Sequence, residues 1–109
     1  MASTEETIKQ QLTENAIILY MKGTPEKPQC GFSARTVDLL KATGVSFASV
    51  DVLANPFIRE KLPKISLWPT FPQLFVGGEL IGGCDIVAEL AQKGELKAAL
   101  TVGLAKAAK

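Results

Sequence analysis

The residue best suited to nucleophilic chemistry is Cys30, which stands on a short loop between an apolar run and a helical pattern. A cysteine just before a helix lies where the helix-end amides favour its thiolate, the form that attacks disulfides and binds metals. Lys22 stands at the entrance of the loop, and two prolines stiffen it. The stretch from Lys22 to Ser33 therefore predicts a reactive or metal-binding thiol.

The other residue types limit what this thiol can do. The chain has two cysteines and no histidine, which excludes Cys–His and Ser–His catalysis and any histidine-ligated metal within one chain. The two cysteines, Cys30 and Cys84, are expected to be thiols rather than a structural disulfide framework. Ser33 stands where a dithiol redox protein carries its second cysteine. A hydroxyl cannot resolve a mixed disulfide, and we expect Ser33 to cap the helix instead.

Composition narrows the class of protein. Hydrophobic residues make up 47% of the 109 residues, and 12 basic and 11 acidic residues give a net charge of +1. The length predicts a single domain, residues 1–109, with a core at about 5–100. The near-neutral charge gives no support for nucleic acid or a membrane surface as partner, and no apolar run reaches the ~18 residues of a spanning helix. The polar, acidic N-terminus predicts a cytoplasmic protein.

Apolar runs and helical patterns alternate along the chain and must position the thiol loop. Ser3 and Glu6 have the form of a capping box, and Asn55 followed by Pro56 predicts another helix start. Helices are expected at 4–14, 33–42, 56–62, 85–92 and 95–100, and strands at 16–21, 45–52, 73–76 and 79–81. The third helix should end before Pro63, residues 65–72 should form a loop, and residues 101–109 should fray.

The order of these elements predicts the fold class. The first strand, helix and second strand form a βαβ unit with parallel strands, and Gly77-Gly78 is a two-residue hairpin signature. Either Cys84 or Asp85 can cap the fourth helix. The prediction is an α/β protein with a four-stranded mixed sheet and helices on both faces.

Several motifs agree in order and spacing with those of one family, the monothiol, CGFS-type glutaredoxins, which the chain resembles over residues 5–100. The motifs are Cys30-Gly-Phe-Ser33, Lys22 eight residues earlier, Trp68-Pro-Thr70, Thr70-Phe-Pro72 and Gly82-Gly-Cys-Asp85. The sequence looks most like the short, single-domain bacterial form. The resemblance implies a thioredoxin-like fold, a glutathione site and a 2Fe–2S cluster shared by two chains. Leu67 departs from the pattern, since the family often has a polar residue there, and could alter a partner or dimer surface. We expect Trp68 to pack rather than react.

The resemblance implies a set of glutathione-binding residues around Cys30. The residues that match Lys22 and Arg59 bind the glycine carboxylate of glutathione, and a guanidinium can do so bidentately. The matching Pro72 follows a cis bond that turns the backbone of Phe71 toward the tripeptide for strand-like pairing. Taken without the resemblance, the two cations are solvated surface charges and Pro72 is an ordinary trans proline.

The start of the fourth predicted helix completes this set. Gly83, Cys84 and Asp85 lie where free helix amides would bind the γ-glutamyl carboxylate of glutathione. Asp85 could bind the γ-glutamyl ammonium or serve as a plain N-cap. Three roles stay open for Cys84: it packs, it helps to hold glutathione, or it forms a disulfide with Cys30.

Counting ligands shapes the functional hypothesis. A 2Fe–2S cluster normally takes four thiolates. Cys30 from two chains with two glutathione thiolates gives four, and so do Cys30 and Cys84 from two chains; the resemblance favours the first set. Cys30 is then the single cluster ligand that each chain supplies.

The leading hypothesis is a carrier that passes 2Fe–2S clusters to apo iron–sulfur proteins as a cluster-bridged homodimer. The resemblance also implies pairing with BolA-type proteins. The alternative is a monothiol oxidoreductase that uses Cys30 to reduce protein–glutathione mixed disulfides. A third hypothesis is an interaction module without redox turnover.

Overall fold

Five helices and four strands follow one another in residues 3–107, the part of the chain that this computed structural model describes. They are α1 Thr4–Glu14, β1 Ile17–Met21, α2 Gly31–Ala42, β2 Ala48–Asp51, α3 Pro56–Ser66, β3 Gln73–Val76, β4 Glu79–Gly82, α4 Cys84–Gln92 and α5 Leu96–Ala107. The strands form one sheet in the order β2-β1-β3-β4. β1 pairs parallel with β2 and antiparallel with β3, and β3 pairs antiparallel with β4. The predicted mixed sheet is confirmed.

Strand β1 is buried over its whole length because its side chains alternate between two cores. Ile17, Leu19 and Met21 pack with apolar residues of α2, α4 and α5 on one face of the sheet. Ile18 and Tyr20 pack with residues of α1 and α3 on the other face. Helices therefore cover both faces, as predicted, and a continuous apolar run is the pattern of such a central strand.

The local start and turn signals act as the sequence predicts. The hydroxyl of Ser3 accepts the Glu6 N–H at 3.1 Å and caps α1, and Asn55 precedes α3, which begins with Pro56. Gly77 and Gly78 form the β3–β4 turn with φ values of 61° and 82°. Positive φ at both turn positions is the conformation that favours glycine.

Helix α3 does not end before Pro63, contrary to the prediction. It continues to Ser66 and ends at Leu67, which adopts the left-handed conformation with φ 57°. Pro63 lacks an N–H, so the carbonyl of Arg59 loses its usual helical donor. The helix persists because Ile58 and Leu62 anchor it in the core, with exposed fractions of 6% and 0%. The connecting loop accordingly begins at 67 and not at 65.

Helix α5 continues through Ala107 and so includes most of the tail that the sequence predicts to fray; residues 108 and 109 lie outside the described part. Leu96 and Leu100 are buried against the sheet, and Gly103 is buried one turn later. A Cβ at Gly103 would overlap Cγ1 of Val76. The absence of a side chain lets the helix approach β3 closely and stay packed.

Two further boundaries differ from the prediction. β2 is limited to Ala48–Asp51, and residues 45–47 precede it without strand pairing. Gly83, rather than Cys84 or Asp85, is the N-cap of α4.

None of the helices in residues 3–107 is long and apolar enough to cross a bilayer.

Candidate thiol site

All of the residues predicted to form the site line one pocket of about 620 Å³, at the edge where β1, α2, α3 and α4 meet. The lining residues are Lys22, Cys30, Phe32, Arg59, Pro63, Trp68, Pro69, Thr70, Phe71, Pro72, Gly83, Cys84 and Asp85. They come from five separate segments of the sequence. The fold therefore assembles in one place what the sequence distributes over more than 60 positions.

Cys30 is the N-cap of α2, with an extended backbone at φ −150° and ψ 138°, and its side chain is partly exposed. The backbone amide of Ser33 is the main cause that lowers the pKa of the Cys30 thiol. Partial burial raises the pKa, whereas the N–H of Phe32, the charge of Lys22 and the Ser33 hydroxyl lower it further. Donors at a helix start therefore favour the thiolate, as the position of Cys30 predicts.

Ser33 does not cap α2, contrary to the prediction, because the helix begins at Gly31 and its N-cap is Cys30. The Ser33 side chain is fully buried, and its Oγ accepts the backbone N–H of Lys22 at 3.2 Å. The same hydroxyl interacts with the sulfur of Cys30. This interaction is the smallest of the causes that lower the pKa of Cys30. Ser33 thus bonds to the end of β1 and also lies close to the thiol.

Two cations border the pocket from different elements. Lys22 follows β1 directly and is half-buried, whereas Arg59 lies in the first turns of α3 and is exposed. Pro63, one turn after Arg59, also lines the pocket. Sequence reasoning did not assign Pro63 to the site because α3 was expected to end before it.

The wall formed by residues 68–72 is held by Gln73, the first residue of β3. Gln73 is fully buried, and its Nε2 donates to the carbonyl oxygens of Trp68 at 2.8 Å and Thr70 at 3.2 Å. The peptide bond between Phe71 and Pro72 is cis, as predicted. Two hydrogen bonds from one buried amide fix the loop that precedes this bond. The only sequence signal for this role is a glutamine in an otherwise apolar strand.

The start of α4 forms another wall. Gly83 and Cys84 are buried and Asp85 is exposed in the first turn, where the free amides of α4 lie. A Cβ at Gly83 would lie 3.1 Å from the carbonyl oxygen of Pro72 and 3.2 Å from Nε1 of Trp68. Trp68 therefore packs on Gly83, as expected. Its buried Nε1 has no hydrogen-bond partner within residues 3–107.

The two thiols differ in access. Cys84 is 7% exposed, whereas Cys30 reaches the pocket surface, and both are free thiols. No group of three or more His, Cys, Asp or Glu residues that could hold a metal ion occurs within residues 3–107. One described chain therefore offers a single accessible thiolate donor and no complete metal site.

Phe32 is a pocket residue that the prediction did not assign to the site. Its side chain is 63% exposed on the first turn of α2, two residues after Cys30. The sequence also predicts no role in the site for Pro69 and Thr70, although both belong to the Trp68-Pro-Thr70 motif. Their position next to the cis bond was the signal that could have placed them in the site.

Comparison with known proteins identifies the sequence relatives of this chain. The glutaredoxin family profile matches residues 17–81. Glutaredoxin 4 of Escherichia coli strain K12 is 60% identical over 97 residues, which cover 89% of this chain and 84% of that protein. A protein of Legionella pneumophila named "Probable monothiol glutaredoxin" is 68% identical over 80 residues, 73% of this chain and 90% of its own.

A solved glutaredoxin structure has the same fold as this chain. The crystal structure of a buckwheat glutaredoxin–glutathione complex superposes with a TM-score of 0.80 at 25% identity, over 92% of this chain and 89% of that chain. The matched region includes Cys30 and Ser33, which leave one thiol where a dithiol protein has two. The chain therefore belongs to the glutaredoxin family, as a short monothiol member with the thioredoxin-like fold.

Proposed function

We propose that the pocket binds glutathione with its thiol beside Cys30. Glutathione carries two carboxylates, one ammonium group and one thiol, and the pocket residues are complementary to each. Lys22 and Arg59 would bind the glycine carboxylate, and the amides at Gly83 and Cys84 the γ-glutamyl carboxylate. Asp85 would bind the ammonium group. The buckwheat relative bound to glutathione supports this assignment, since the two chains share the fold.

The backbone before β3 supplies the remaining contact in this proposal. Phe71, which precedes the cis bond to Pro72, would pair its N–H and C=O with the extended tripeptide, in the manner of an added strand. Gly83 has no side chain, so Trp68 and the carbonyl of Pro72 can pack closely against the start of α4 beside this contact. Cys84 would line the γ-glutamyl end without reacting, since it is buried.

The observation that carries the function is the position of Cys30: an accessible thiol, at a helix start that favours its thiolate, on the rim of this pocket. A 2Fe–2S cluster normally needs four thiolates, and one chain presents one accessible thiol. The donor set fits one half of a shared cluster. Two copies, each with Cys30 and one glutathione thiolate, would hold the cluster as cargo.

We infer from this that the protein carries 2Fe–2S clusters to apo iron–sulfur proteins in the cytoplasm. An exposed ligand suits transfer, because an incoming thiolate can reach the cargo without unfolding the carrier. The ligand set is shared between molecules, so a BolA-type partner could replace one copy and supply its own ligands.

Anaerobic reconstitution with iron, sulfide and glutathione tests the proposal. We expect a brown dimer with visible absorption, measured by size-exclusion chromatography with spectral detection. Cys30→Ser should abolish the colour and the dimer, whereas Cys84→Ser should leave both largely intact. Omission of glutathione should prevent cluster formation. A cluster that forms without glutathione and is lost in Cys84→Ser would show that Cys84 is a ligand and would refute the assignment.

The alternative function is reduction of protein–glutathione mixed disulfides, which the lowered pKa of Cys30 favours. The Cys30 thiolate would attack the glutathione sulfur, and the protein thiolate would leave with its electron pair. A second glutathione thiolate would then attack glutathionylated Cys30, releasing oxidised glutathione and the thiolate. Ser33 cannot perform this second step. A colourless monomer with brisk deglutathionylation would favour this alternative over cluster carriage.

A further inference from the structure

Asp51 ends β2 and lies opposite Met21 in the parallel register of β1 and β2. Its Oδ1 accepts the backbone N–H of Gly23 and the backbone N–H of Leu53, each at 2.9 Å. The first contact joins β2 to the residue that follows Lys22. Asp51 itself does not line the thiol pocket.

The backbone around Lys22 is fixed on every side by hydrogen bonds. Its N–H donates to Oγ of Ser33 at 3.2 Å, and its carbonyl accepts the Gln29 N–H at 2.9 Å. The next peptide group, at Gly23, donates to Asp51. Gly23 has φ 92°, and a Cβ there would lie 2.5 Å from the carbonyl oxygen of Lys27, so this turn is tightly packed.

We propose that Asp51 is a positioning residue for the thiol pocket, which holds the Lys22–Gly23 segment so that the lysine ammonium stays beside Cys30 and the ligand carboxylate. This inference rests on the proposed function for its glutathione readout. The carboxylate oxygen is the only acceptor that the described structure gives the Gly23 N–H. Without it, this N–H would turn to water and the loop after β1 would gain freedom. The Lys22 ammonium would then spend less time at the site.

Two substitutions, Asp51→Asn and Asp51→Ala, separate this role from a charge effect. Asparagine keeps an oxygen in the same place, and it forms the same side-chain bond to the N–H two residues later. Both variants remove one negative charge, so a difference between them reports the acceptor alone. Asp38→Ala, on the exposed face of α2 and outside the pocket, is the control for loss of a surface carboxylate.

Two readouts test the proposal on the folded, reduced protein. The first is the Kd of reduced glutathione by calorimetry. We expect Asp51→Ala to bind about tenfold more weakly than Asp51→Asn, a change that corresponds to about 1.4 kcal/mol. The second is the pH profile of Cys30 alkylation, read by peptide mass spectrometry. Its midpoint should be higher in Asp51→Ala than in Asp51→Asn, while Asp38→Ala should match the unmodified chain.

The outcomes distinguish this inference from the proposed function. Equal Kd values and equal alkylation midpoints in the two Asp51 variants would overturn the positioning role. If the unmodified chain does not bind glutathione, the proposed function fails, and the alkylation comparison still decides the role of Asp51. If Asp51→Ala does not fold, Asp51→Glu replaces it, since the longer side chain displaces the carboxylate. It should show the same weakening relative to the unmodified chain, which has the same charge, and parity between them would refute the proposal.

Discussion

Ser33→Ala removes a hydroxyl that serves two groups in the site. Its Oγ accepts the Lys22 N–H at 3.2 Å and interacts with the sulfur of Cys30. Alanine fills the buried position without strain but leaves the Lys22 N–H without its acceptor. A buried polar group that loses its partner costs about 1–3 kcal/mol. Lys22 is half-buried, so we expect the free energy of unfolding to fall by about 1–2 kcal/mol.

The stability lost in Ser33→Ala should depend on pH, because the hydroxyl also affects the ionisation of Cys30. The fold lowers the pKa of this thiol, so its thiolate contributes stability that is fully present above the unfolded pKa of about 8.5. That contribution is lost as the pH falls through the lower pKa of the folded state. Ser33→Ala removes the smallest of the interactions that lower the pKa of Cys30 and keeps the backbone amide that is the main one, so we expect the pKa to rise slightly. The variant should therefore lose more stability at about pH 9.5 than at about pH 6.

Urea unfolding at the two pH values measures the stability loss, and the rate of Cys30 alkylation against pH measures the change in pKa. Thr36→Val is the matched control, because Thr36 is also fully buried on α2 and its hydroxyl donates only to the Phe32 carbonyl, at 2.8 Å. The control should lose stability without moving the alkylation profile. An unchanged profile in Ser33→Ala, with an equal stability loss at both pH values, would refute the reasoning.

Two other predictions concern helix packing and charge. Gly103→Ala should lower the free energy of unfolding by about 1–3 kcal/mol, because the new Cβ overlaps Cγ1 of Val76. Thermal unfolding checks this prediction, and Val102→Ala, at an exposed position of the same helix, is the control. If Gly103→Ala melts at the same temperature as the unmodified chain, the close packing of α5 is contradicted. Arg59→Met should weaken glutathione binding about threefold to tenfold, by loss of a charge-assisted hydrogen bond. Calorimetry should find no such change in Arg35→Met, on α2 and outside the pocket.

Much of the fold followed from local patterns in the sequence. Residues 16–21 form an unbroken apolar run, which is what a strand with a core on both faces requires, and Gly77-Gly78 can adopt the positive φ values of a hairpin turn. Helix ends were less predictable. Pro63 indicated a helix end, but the burial of Ile58 and Leu62 outweighs one missing hydrogen bond. This burial depends on the core between α1, α3 and the sheet, which forms only in the folded chain.

The site also contains residues whose role could be predicted from the sequence and residues whose role could not. Cys30 could be assigned from the sequence because its chemistry depends on the residue type and on the helix that starts beside it. The role of Ser33 could not, since its partner Lys22 lies eleven positions away and meets it only when β1 packs beside α2. Gln73 stands out in the sequence as a glutamine in an apolar strand, but its two acceptors could not be identified because they belong to a loop whose path depends on the surrounding fold.

The order of strands and helices, the reactive thiol and the family motifs could all be read from the sequence. These depend on residue types and on spacings of a few positions, which local backbone preferences and turn chemistry control. The way in which the thiol is held depends on contacts between distant segments, which form only in the folded chain. The parallel register that places Asp51 beside Gly23 joins residues 28 positions apart, and burial then makes each such hydrogen bond costly to lose.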